Sequence, residues 1–456
     1  MKNSTLDALF TSWLGIGTPV NSTVDLLAWT RQRNDKLKVH INRTKLSQSD
    51  FWYYDANNGK ITNNNRCFFS IEGLQCGLTK QPIIIQNEIG YLGIICRQIN
   101  GLLHFLIQAK IEPGNVNKVQ LSPTIQATKS NFTQMHGGKR PNYIDYFLEA
   151  DKYEIIVDQI QSEQSSRFYG KRNRNIIIKV EENVEVLPSH KWMTLKQIKE
   201  LMRYDNLVNM DTRTVLSCIP FSFAGYDTKL EEKFIDKALY RSITQGCERN
   251  LLPEIYRYIN NYKMLDMPER KLIPLNQMDG WVINDEEICC TTPYSFKVIY
   301  CDISIEEREV SQWFQPLFEA CGKAVFGLIT KEKNGIILFL VKAISEVGCF
   351  DGIELGPTIQ HEASALIPSQ FDDLEALFFD RWQRREGIVF NTLLSEEGGR
   401  FYHEQNHNVI IKIETDMLED PPSGYFWADF KTLNMLTQVN NCLNIQLRNL
   451  LSVLET

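Results

Sequence analysis

Two adjacent segments of the chain predict strands whose alternate residues carry hydrogen-bonding side chains. HFLIQAKIE, which begins at His104, places Gln108, Lys110 and Glu112 on one face, because side chains alternate along a strand. The next segment, VQLSPTIQAT, contains Pro123, which has no N–H, so we expect an edge strand or a bulge there. Its polar face consists of Gln120, Ser122, Thr124 and Gln126. Such a row suits a pocket that orients a sugar or a base, although it could also be a sheet surface in water.

A short basic run, GKRNRN, could bind an anion. It contains Lys171, Arg172 and Arg174, and the two arginines share a face if the run is extended. Two guanidinium groups on one face could bind a diphosphate through bidentate hydrogen bonds, although a short basic cluster is more often a solvent-exposed surface without a ligand. The chain has 49 Lys and Arg against 56 Asp and Glu, a net charge of -7, so a general nucleic-acid binder is not expected.

Four side chains are candidates for proton transfer. Lys110 could stabilise an oxyanion, or act as a base if burial lowers its pKa, and Glu112 points the same way in a regular strand. Glu163, in QSEQ, is a second candidate base. His136, in MHGGKR, has the near-neutral pKa that suits acid–base work, although a lone loop histidine is more often a bystander.

The chain contains a second copy of these segments. KIEPGNVNKVQLSPTIQAT matches ISEVGCFDGIELGPTIQHE, with Pro123 and Pro357 234 positions apart. QSEQSSRFYGKRNRNIIIKV matches LSEEGGRFYHEQNHNVIIKI, with Arg167 and Arg400 233 positions apart. So constant an offset predicts a duplicated domain. We expect an N-terminal module over residues 1–222 with the active site, a helical connector over 223–280 and a partly degenerate C-terminal module over 281–456.

The second copy has lost much of this chemistry. Ile344 stands in place of Lys110, and Cys349 in place of Asn115. The three cations of the basic run are replaced by Glu404, Gln405 and His407. Glu163 persists as Glu396, which is compatible with catalysis or with a structural hydrogen bond. We therefore expect the anion-handling chemistry mainly in the first copy.

Each copy places its strands before a pair of helices. Thr194 and Gln197 form a capping-box pattern at the start of TLKQIKELM, and a second helix is expected over 210–218. Near the N-terminus, Ser22 or Thr23 can cap a further helix. Between the copies, apolar residues recur at three- and four-residue steps, which is typical of helices. The order indicates an α+β fold with mixed or antiparallel strands.

Two sequence patterns bear on metal chemistry. HEQNH, from His403 to His407, matches the H-E-x-x-H zinc motif, which works only on a helix. Here it leads into the β-branched run VIIKI, so we expect an extended segment and no zinc site. Neither copy contains the Glu-rich R-E-x-x-E-E helix of a Nudix box. We therefore expect no metal site and no metal-dependent pyrophosphohydrolase chemistry.

These segments resemble the NDP-hexose 2,3-dehydratases of deoxysugar biosynthesis. The string K-x-E-P-G-N-x-N-x-x-Q-x-S-P-T-x-Q-A-T is long and specific, and QPIIIQNEIGYLGII, DQIQSEQSSRFYGKRNRN and WMTLKQI…VNMDTRTVLSC also fit. So does the segment with Trp29 and Arg31, and the match covers nearly the whole chain. The resemblance implies tandem Nudix-like modules without a Nudix box, and a homodimer.

The resemblance also implies a reaction without a cofactor. A nucleotide-linked 4-keto-6-deoxyhexose, expected to be dTDP-linked, would lose water across C2 and C3, which requires a base, an oxyanion donor, an acid and a diphosphate site. Trp29 could stack on the nucleobase, although a core tryptophan is the commoner explanation. The expected substrate-binding residues are Trp29, Gln108, Asn115, Gln120, Ser122, Thr124, Gln126, Lys171, Arg172 and Arg174. The alternatives are a non-catalytic nucleotide-sugar receptor and hydrolysis of the diphosphate.

Composition excludes several other classes of protein. No window approaches 18 uninterrupted apolar residues, so no membrane span is expected. The first residues lack the apolar core and the cleavage site of a signal peptide. The 11 cysteines are scattered and odd in number, which favours reduced thiols in a cytoplasm over a disulfide framework.

Overall fold

The computed structural model describes residues 3–132, 140–247, 250–306, 310–363 and 370–455. Over these residues the chain forms four β-sheets with helices packed on them. Parallel and antiparallel strand pairs occur in the same sheets. The predicted α+β architecture with mixed sheets is therefore confirmed.

The α-helices of the described residues carry the following labels. They are α1 (Asn3–Leu14), α2 (Thr23–Lys36), α3 (Lys129–Phe132), α4 (Ile144–Leu148), α5 (Leu195–Leu201), α6 (Met210–Ser217), α7 (Thr228–Glu231), α8 (Lys237–Thr244), α9 (Leu252–Asn261), α10 (Asp373–Arg384), α11 (Phe430–Thr437) and α12 (Ile445–Ser452).

The strands are numbered in chain order in the same way. They are β1 (Val39–Arg43), β2 (Trp52–Asp55), β3 (Lys60–Asn63), β4 (Ser70–Cys76), β5 (Thr79–Ile85), β6 (Gly90–Ile99), β7 (Leu102–Ile111), β8 (Val119–Ser122), β9 (Ile125–Ala127), β10 (Glu154–Ser162), β11 (Arg172–Lys179), β12 (His190–Met193), β13 (Arg270–Ile273), β14 (Trp281–Ile283), β15 (Glu287–Cys290), β16 (Phe296–Ile305), β17 (Gln312–Ala320), β18 (Val325–Lys333), β19 (Ile336–Ile344), β20 (Glu354–Gly356), β21 (Ile359–His361), β22 (Ile388–Ser395), β23 (Phe401–Tyr402), β24 (Gln405–Ile413) and β25 (Tyr425–Asp429).

Two seven-stranded sheets repeat one strand order. The first runs β10-β11-β6-β7-β12, with β8 paired to β7 and β9 to β6. The second runs β22-β24-β18-β19-β25, with β20 paired to β19 and β21 to β18. In the first sheet β11, which begins within the basic run, lies parallel to the central strand β6. In the second sheet the equivalent strand β24 lies parallel to β18. The sequence repeat thus reappears as a repeat of sheet topology.

The helices that follow each sheet begin at side-chain caps. Thr194 caps α5 in a capping box with Gln197, and Ser22 caps α2 in the same way, as predicted. Asn209 and Asn444 cap the equivalent helices α6 and α12. These two helices pack against each other at the centre of the molecule.

One hydrophobic core joins the two repeats. It includes Leu121 and Val215 from the first repeat and Leu355 and Leu447 from the second, all of them fully buried. Burial of that much apolar surface between the repeats stabilises them as one body rather than as two tethered modules.

Each of the two smaller sheets contains one strand from a distant part of the chain. β1 pairs with β16 in the six-stranded sheet β14-β15-β16-β17-β23. In return β13 pairs with β4 in the five-stranded sheet β13-β4-β3-β2, to which β5 also belongs. The predicted helical connector contains α7, α8 and α9, and it also supplies strand β13. The chain segments on either side of the connector are therefore interleaved.

Two equivalent loop contacts join the repeats, one in each direction. Gly114 N–H donates to the Gly398 carbonyl at 2.7 Å, and Gly348 N–H donates to the Ser165 carbonyl at 2.9 Å. A Cβ added at Gly114 would lie 1.6 Å from the Phe401 carbonyl oxygen, so only glycine permits this approach. Each repeat thereby receives a loop from the other at the same place in its fold.

Candidate active site

A cavity of about 540 Å³ opens against the polar face of the first seven-stranded sheet. Its polar wall comes from both repeats and comprises Asn65, Gln86, Lys110, Glu112, Gln126, Thr128, Ser130, Glu163, Lys171, Asn173, Asp211, Gln312, Gln315, Glu397 and Arg400. Its aromatic wall comprises Phe51, Trp52, Phe68, Phe69, Tyr91, Phe168, Trp313 and Phe314. A concave site with an aromatic side and a few converging charges suits a ligand that has a ring at one end and polar groups at the other.

Three carboxyl groups meet at the polar wall. Oxygens of Glu112, Asp211 and Glu397 all lie within 4.8 Å of one another. Lys110 Nζ lies 3.2 Å from Glu112 Oε1. Gln126 Nε2 donates to Glu112 Oε1 at 3.2 Å and to Glu397 Oε1 at 3.5 Å. We call Glu112, Asp211 and Glu397 the carboxyl cluster.

The elements that position the carboxyl cluster are far apart in sequence. Lys110 is near the end of β7, and Glu112 follows that strand directly. Asp211 lies in the first turn of α6, whose cap Asn209 accepts from Thr212 N–H. Glu397 lies two residues beyond β22, in the loop of the second repeat that contacts the first repeat at Gly114. The site therefore depends on the packing of the two repeats.

Burial keeps two members of the cluster from ionising easily. Asp211 is 1% exposed, and neither of its carboxyl oxygens has a hydrogen-bond partner among the described residues. Desolvation first, and then the charges of Glu163 and Glu397, raise the pKa of Asp211 well above its usual range. Burial, and then the charge of Glu112, raise the pKa of Glu397 to about 8. The cluster can therefore hold protons at neutral pH and exchange them with a ligand.

A second group of polar residues, around Glu163, also lines the wall. Asn173 Nδ2 donates to Glu163 Oε2 at 2.6 Å, and Lys171 Nζ donates to the Glu88 carbonyl. Burial raises the pKa of Glu163 to about 7, against the opposing charge of Lys171, and lowers the pKa of Lys171 to about 8.

The arrangement around Glu163 is repeated in the second copy. Asn406 Nδ2 donates to Glu396 Oε1 at 2.7 Å, as Asn173 does to Glu163. The backbone N–H groups of Glu163 and Glu396 also donate to equivalent carbonyls, each at 3.0 Å. Persistence in a copy that lacks the lysine favours the structural hydrogen bond, which was the second of the two interpretations of Glu163.

The structure brings five of the predicted residues together on the cavity wall. These are Lys110, Glu112, Gln126, Glu163 and Lys171. Lys110 and Gln126 meet because the polar strand breaks after Ser122, so that β8 pairs with β7 and β9 with β6. The break falls at Pro123, where the missing N–H predicted an irregularity.

The other uncharged candidates do not line the cavity. Thr124 Oγ1 donates to the Leu106 carbonyl and accepts from Ile95 N–H, so it bridges β6 and β7. Gln108 lies on β7. The Gln120 amide donates to Ser395 Oγ at 2.8 Å, and the Ser122 hydroxyl donates to Gln126 Oε1 at 3.0 Å. The Asn115 amide donates to the Lys118 carbonyl at 2.7 Å. Thr124 thus links two strands of its own sheet, Asn115 stabilises the turn after β7, and Gln120 contacts β22 of the second repeat.

Neither arginine of the basic run lies on the cavity wall. Alternation along β11 turns Lys171 and Asn173 inward and Arg172 and Arg174 outward. Arg174 pairs with Asp158 at 2.6 Å, and Arg172 lies over the exposed ring of Phe350 at 3.7 Å. Of the three residues predicted to bind a diphosphate, only Lys171 lines the cavity.

Trp29 and His136 complete the predicted set. Trp29 is buried in the core, and its indole N–H donates to the Pro188 carbonyl at 3.2 Å, so the common interpretation as a core tryptophan applies. His136 lies outside the described residues.

The sequence interpretation missed Asp211, Glu397 and Arg400. Asp211 stands inside VNMDTRTVLSC, one of the resembling segments, and its counterpart in the second copy is Gln446. Glu397 has Gln164 as its counterpart. The signal that singled out Lys110, a charged residue replaced by a neutral one in the other copy, was thus present for both.

The carboxyl cluster offers oxygen ligands of the kind that Mg²⁺ and Ca²⁺ take. The Lys110 ammonium group and the Gln126 amide already approach these oxygens. A positive charge 3.2 Å from Glu112 repels a second cation, so the donor set does not fit a metal well. HEQNH lies in β24 and the turn before it, with His403 at φ 52°, which is not the helix that a zinc motif needs.

Comparison with known proteins gives a consistent result. The NDP-hexose 2,3-dehydratase family model matches residues 23–219 and 252–454. A protein of Saccharopolyspora spinosa named dTDP-4-dehydro-6-deoxy-alpha-D-glucopyranose 2,3-dehydratase is 38% identical, over 95% of this chain and 91% of its own. Proteins with the same name from Streptomyces violaceoruber and Amycolatopsis orientalis are 35% and 34% identical, over 96% and 95% of this chain and 98% and 90% of their own. The chain belongs to the NDP-hexose 2,3-dehydratase family.

Proposed function

We propose that the protein removes water across C2 and C3 of dTDP-4-keto-6-deoxyglucose to give the 3,4-diketo-2,6-dideoxy sugar. The observation that carries this proposal is the lysine beside three carboxyl groups, two of them buried and one half-buried, in one cavity. The names of the three relatives support the substrate. The aromatic wall offers ring faces on which a nucleobase could stack.

The first step is removal of the C3 proton. The C4 ketone makes that proton acidic, and the electron pair of the C3–H bond becomes an enolate whose charge rests on the C4 oxygen. Lys110 is placed to stabilise this oxyanion, as a cation in a buried site with its side chain 11% exposed. Glu112, which is ion-paired with Lys110, is our candidate for the base.

The second step is departure of the C2 hydroxyl group. The enolate electrons return to form the C2=C3 double bond, the C2–O bond breaks, and the leaving oxygen takes a proton and departs as water. Asp211 is our candidate for this acid, since burial raises its pKa and favours the protonated form. The 3-hydroxy alkene that remains is an enol of the 3,4-diketone and tautomerises to it.

The direct test is turnover of the nucleotide sugar. The purified protein is incubated with dTDP-4-keto-6-deoxyglucose, and the nucleotide-linked product is followed by mass spectrometry. Loss of one water from the sugar is expected. Recovery of unchanged sugar would refute the proposal, and release of dTMP would indicate hydrolysis of the diphosphate instead.

We propose that this reaction needs no metal ion. What supports this proposal is that the Lys110 amine and the Gln126 amide already contact carboxyl oxygens of the cluster that a cation would need as ligands. Dialysis against EDTA, followed by the same assay in metal-free buffer, is expected to leave the rate unchanged. A loss of rate that Mg²⁺ or Mn²⁺ restores would refute metal independence.

We further propose that residues 1–222 and 281–456 are Nudix-like modules and that the protein acts as a cytoplasmic homodimer. The common strand order of the two large sheets supports the modules. All 11 cysteines are free, which fits a reducing compartment. None of the helices in the described part of the chain has the length and apolar character needed to cross a membrane. Light scattering of the purified protein tests the dimer, with a monomer mass as the contrary result.

A further inference from the structure

Two buried arginines each link a helix of one repeat to a strand of the other. Arg213, on α6 of the first repeat, donates from Nη2 to the carbonyl of Ser395, the last residue of β22, at 2.8 Å. Arg448, on α12 of the second repeat, donates from Nη2 to the carbonyl of Ser162, the last residue of β10, at 2.5 Å. The arginines are 235 positions apart and the serines 233, so the two contacts are equivalent.

The contact of Arg213 lies directly before the loop that carries Glu397. Glu397 follows Ser395 by two residues and belongs to the carboxyl cluster. On its other side Gly398 packs closely on the first repeat, where an added Cβ would lie 3.0 Å from Glu112 Cβ. Glu397 is thus fixed between two contacts with the first repeat, one from α6 and one from the residue after β7.

The helix that carries Arg213 also carries Asp211. The Nη1 of Arg213 donates to the carbonyl of Val208, just before α6, at 3.4 Å. The guanidinium group therefore joins the start of α6 to the end of β22. Asp211 lies at the start of this helix and Glu397 beyond the end of this strand, so a shift of one element against the other would separate their carboxyl groups.

The guanidinium group of Arg213 is suited to fixing these elements. Its side chain is buried, and burial lowers its pKa to about 10 against the opposing charges of Glu396 and Asp211, so it stays charged at neutral pH. A charged donor makes stronger hydrogen bonds than a neutral one, and the planar guanidinium group directs its donors rigidly. A flexible, neutral side chain would hold β22 less firmly.

We propose that Arg213 is a positioning residue, which holds Glu397 of the second repeat against Asp211 and Glu112. Its effect on the rate rests on the proposed function, whereas the contact that it makes does not depend on the substrate. Among the described residues Arg213 is not one of those that line the cavity, so it acts through the carboxyl cluster and not on the ligand.

The equivalent arginine provides a matched control. Arg448 fixes the end of β10 in the same way, but the counterpart of Glu397 in the loop beyond it is Gln164. An amide cannot take up or release a proton near neutral pH. Arg448 therefore makes the same contact between the repeats without placing a member of the carboxyl cluster.

The first test compares Arg213→Met with Arg448→Met in the full-length protein, by steady-state kinetics and thermal unfolding. Methionine keeps an unbranched side chain but has no hydrogen-bond donor. We expect Arg213→Met to lower kcat by about 100-fold, because a displacement of about 1 Å in an active site can cost that much. KM should stay within threefold, because the residues that contact the ligand are unchanged.

Arg448→Met controls for a general loss of stability. It removes four hydrogen bonds, so its thermal midpoint should fall at least as far as that of Arg213→Met. Its kcat should stay within tenfold of wild type, because the residue after Ser162 is Glu163, whose hydrogen bond is interpreted as structural. Equal falls in kcat for the two variants would overturn the proposal.

A double-mutant cycle tests whether Arg213 acts through Glu397. The fall in kcat caused by Arg213→Met is measured in the wild-type protein and in Glu397→Gln, which introduces the residue of the second copy. Two residues that act as a unit are not additive, so Arg213→Met should lower kcat by less than threefold in the Glu397→Gln background. An equal fall in both backgrounds would contradict the proposal.

We expect Arg213→Met to fold, because β22 is also bound to the first repeat by the Asn206 N–H, which donates to the Leu393 carbonyl at 2.9 Å. If either methionine variant misfolds, Arg213→Lys and Arg448→Lys replace the pair, since lysine keeps a charge and a donor but not the planar fork. Equal kcat values in the lysine pair would then overturn the proposal.

A crystal structure of the Arg213 variant separates this proposal from the proposed function, because it needs no turnover. The carboxyl oxygens of Glu397 and Asp211, which lie within 4.8 Å of each other, should move farther apart. An unchanged distance would overturn the positioning role, even if the wild-type protein dehydrates the sugar. A larger distance, with a wild-type protein that leaves the sugar unchanged, would support the positioning of Glu397 and refute the reaction.

Discussion

The cavity wall of the first repeat and the equivalent residues of the second share a framework and differ in the groups that can exchange protons. Glu112 has Glu346 as its counterpart, and both accept from the amide of an equivalent glutamine. Around Glu346, however, Gln446 stands in place of Asp211 and Gln164 in place of Glu397. These amides still make hydrogen bonds, with Gln446 Nε2 3.5 Å from Glu346 Oε1 and Gln164 Nε2 3.3 Å from Glu404 Oε1.

The difference indicates which groups serve packing and which serve chemistry. An amide can replace a carboxyl group in shape and in hydrogen bonding, but it cannot take up or release a proton near neutral pH. Ile344, in place of Lys110, likewise fills space without a charge. The second repeat therefore keeps Glu346 but has no ionisable counterpart of Lys110, Asp211 or Glu397, and substitutions can move the first pocket toward that state.

The largest effect is expected from Lys110→Ile, which introduces the residue of the second copy. Loss of the cation beside the C4 oxyanion should lower kcat by about 10²–10⁴-fold. The dTDP affinity should stay within tenfold, because Lys110 is expected to act on the sugar and not on the diphosphate. Steady-state kinetics and titration with dTDP measure the two effects. A kcat within tenfold of wild type would remove Lys110 from the mechanism.

Asp211→Asn should have the next largest effect. The amide keeps the size of the side chain but has no acidic proton to give to the leaving hydroxyl group, so kcat should fall by about 10²–10³-fold with little change in KM. The thermal midpoint should not fall, since both carboxyl oxygens are buried without a hydrogen-bond partner among the described residues. A normal kcat would show that the acid is another group.

Glu163→Gln should have a smaller effect on the rate. The Asn173 amide can donate to a glutamine oxygen as it does to the carboxylate, and the same pair persists in the second copy. We expect kcat to fall by less than tenfold, in contrast to Asp211→Asn measured in parallel. A fall for Glu163→Gln that exceeds the one for Asp211→Asn would reverse the roles assigned here.

The sequence was sufficient to predict the repeat, the α+β class and several members of the site. The helix caps at Ser22 and Thr194 depend on neighbouring residues, so local patterns revealed them. Lys110 and Gln126 were found because side-chain alternation separates the two faces of a strand. The loss of Lys110 in the second copy then pointed to function.

The remaining members of the site depend on contacts between distant segments. Alternation placed Arg172 and Arg174 on one face of β11, but it does not say whether that face or the face of Lys171 is buried, since both are polar. Asp211 and Glu397 reach the cavity only because α6 and a loop of the other repeat pack there. No local sequence pattern predicts such packing. The comparison of the two copies gives only an indirect signal, because Asp211 and Glu397 each have a neutral residue as counterpart.

The smallest predicted effect concerns stability and pH. The pKa of Glu397 is raised to about 8 in the folded protein by burial. An acid whose folded pKa is raised contributes stability that is fully present below its unfolded pKa of about 4.5 and is lost as pH rises through about 8. The thermal midpoint should therefore fall between pH 6 and pH 9, and this fall should be a few degrees smaller in Glu397→Gln.

The comparison with Glu397→Gln is needed because other groups titrate in the same range. Lys171, with its pKa lowered to about 8, acts in the opposite sense, since its burial costs stability at low pH and this cost declines as pH rises. Both proteins contain Lys171, so the difference between their two midpoint curves reports the Glu397 carboxyl group together with its effect on the neighbouring Asp211 and Lys171. Parallel curves from pH 6 to pH 9 would mean that Glu397 is ionised throughout this range in the folded protein. Asp211 would then be the remaining candidate for a protonated carboxyl group in the cluster.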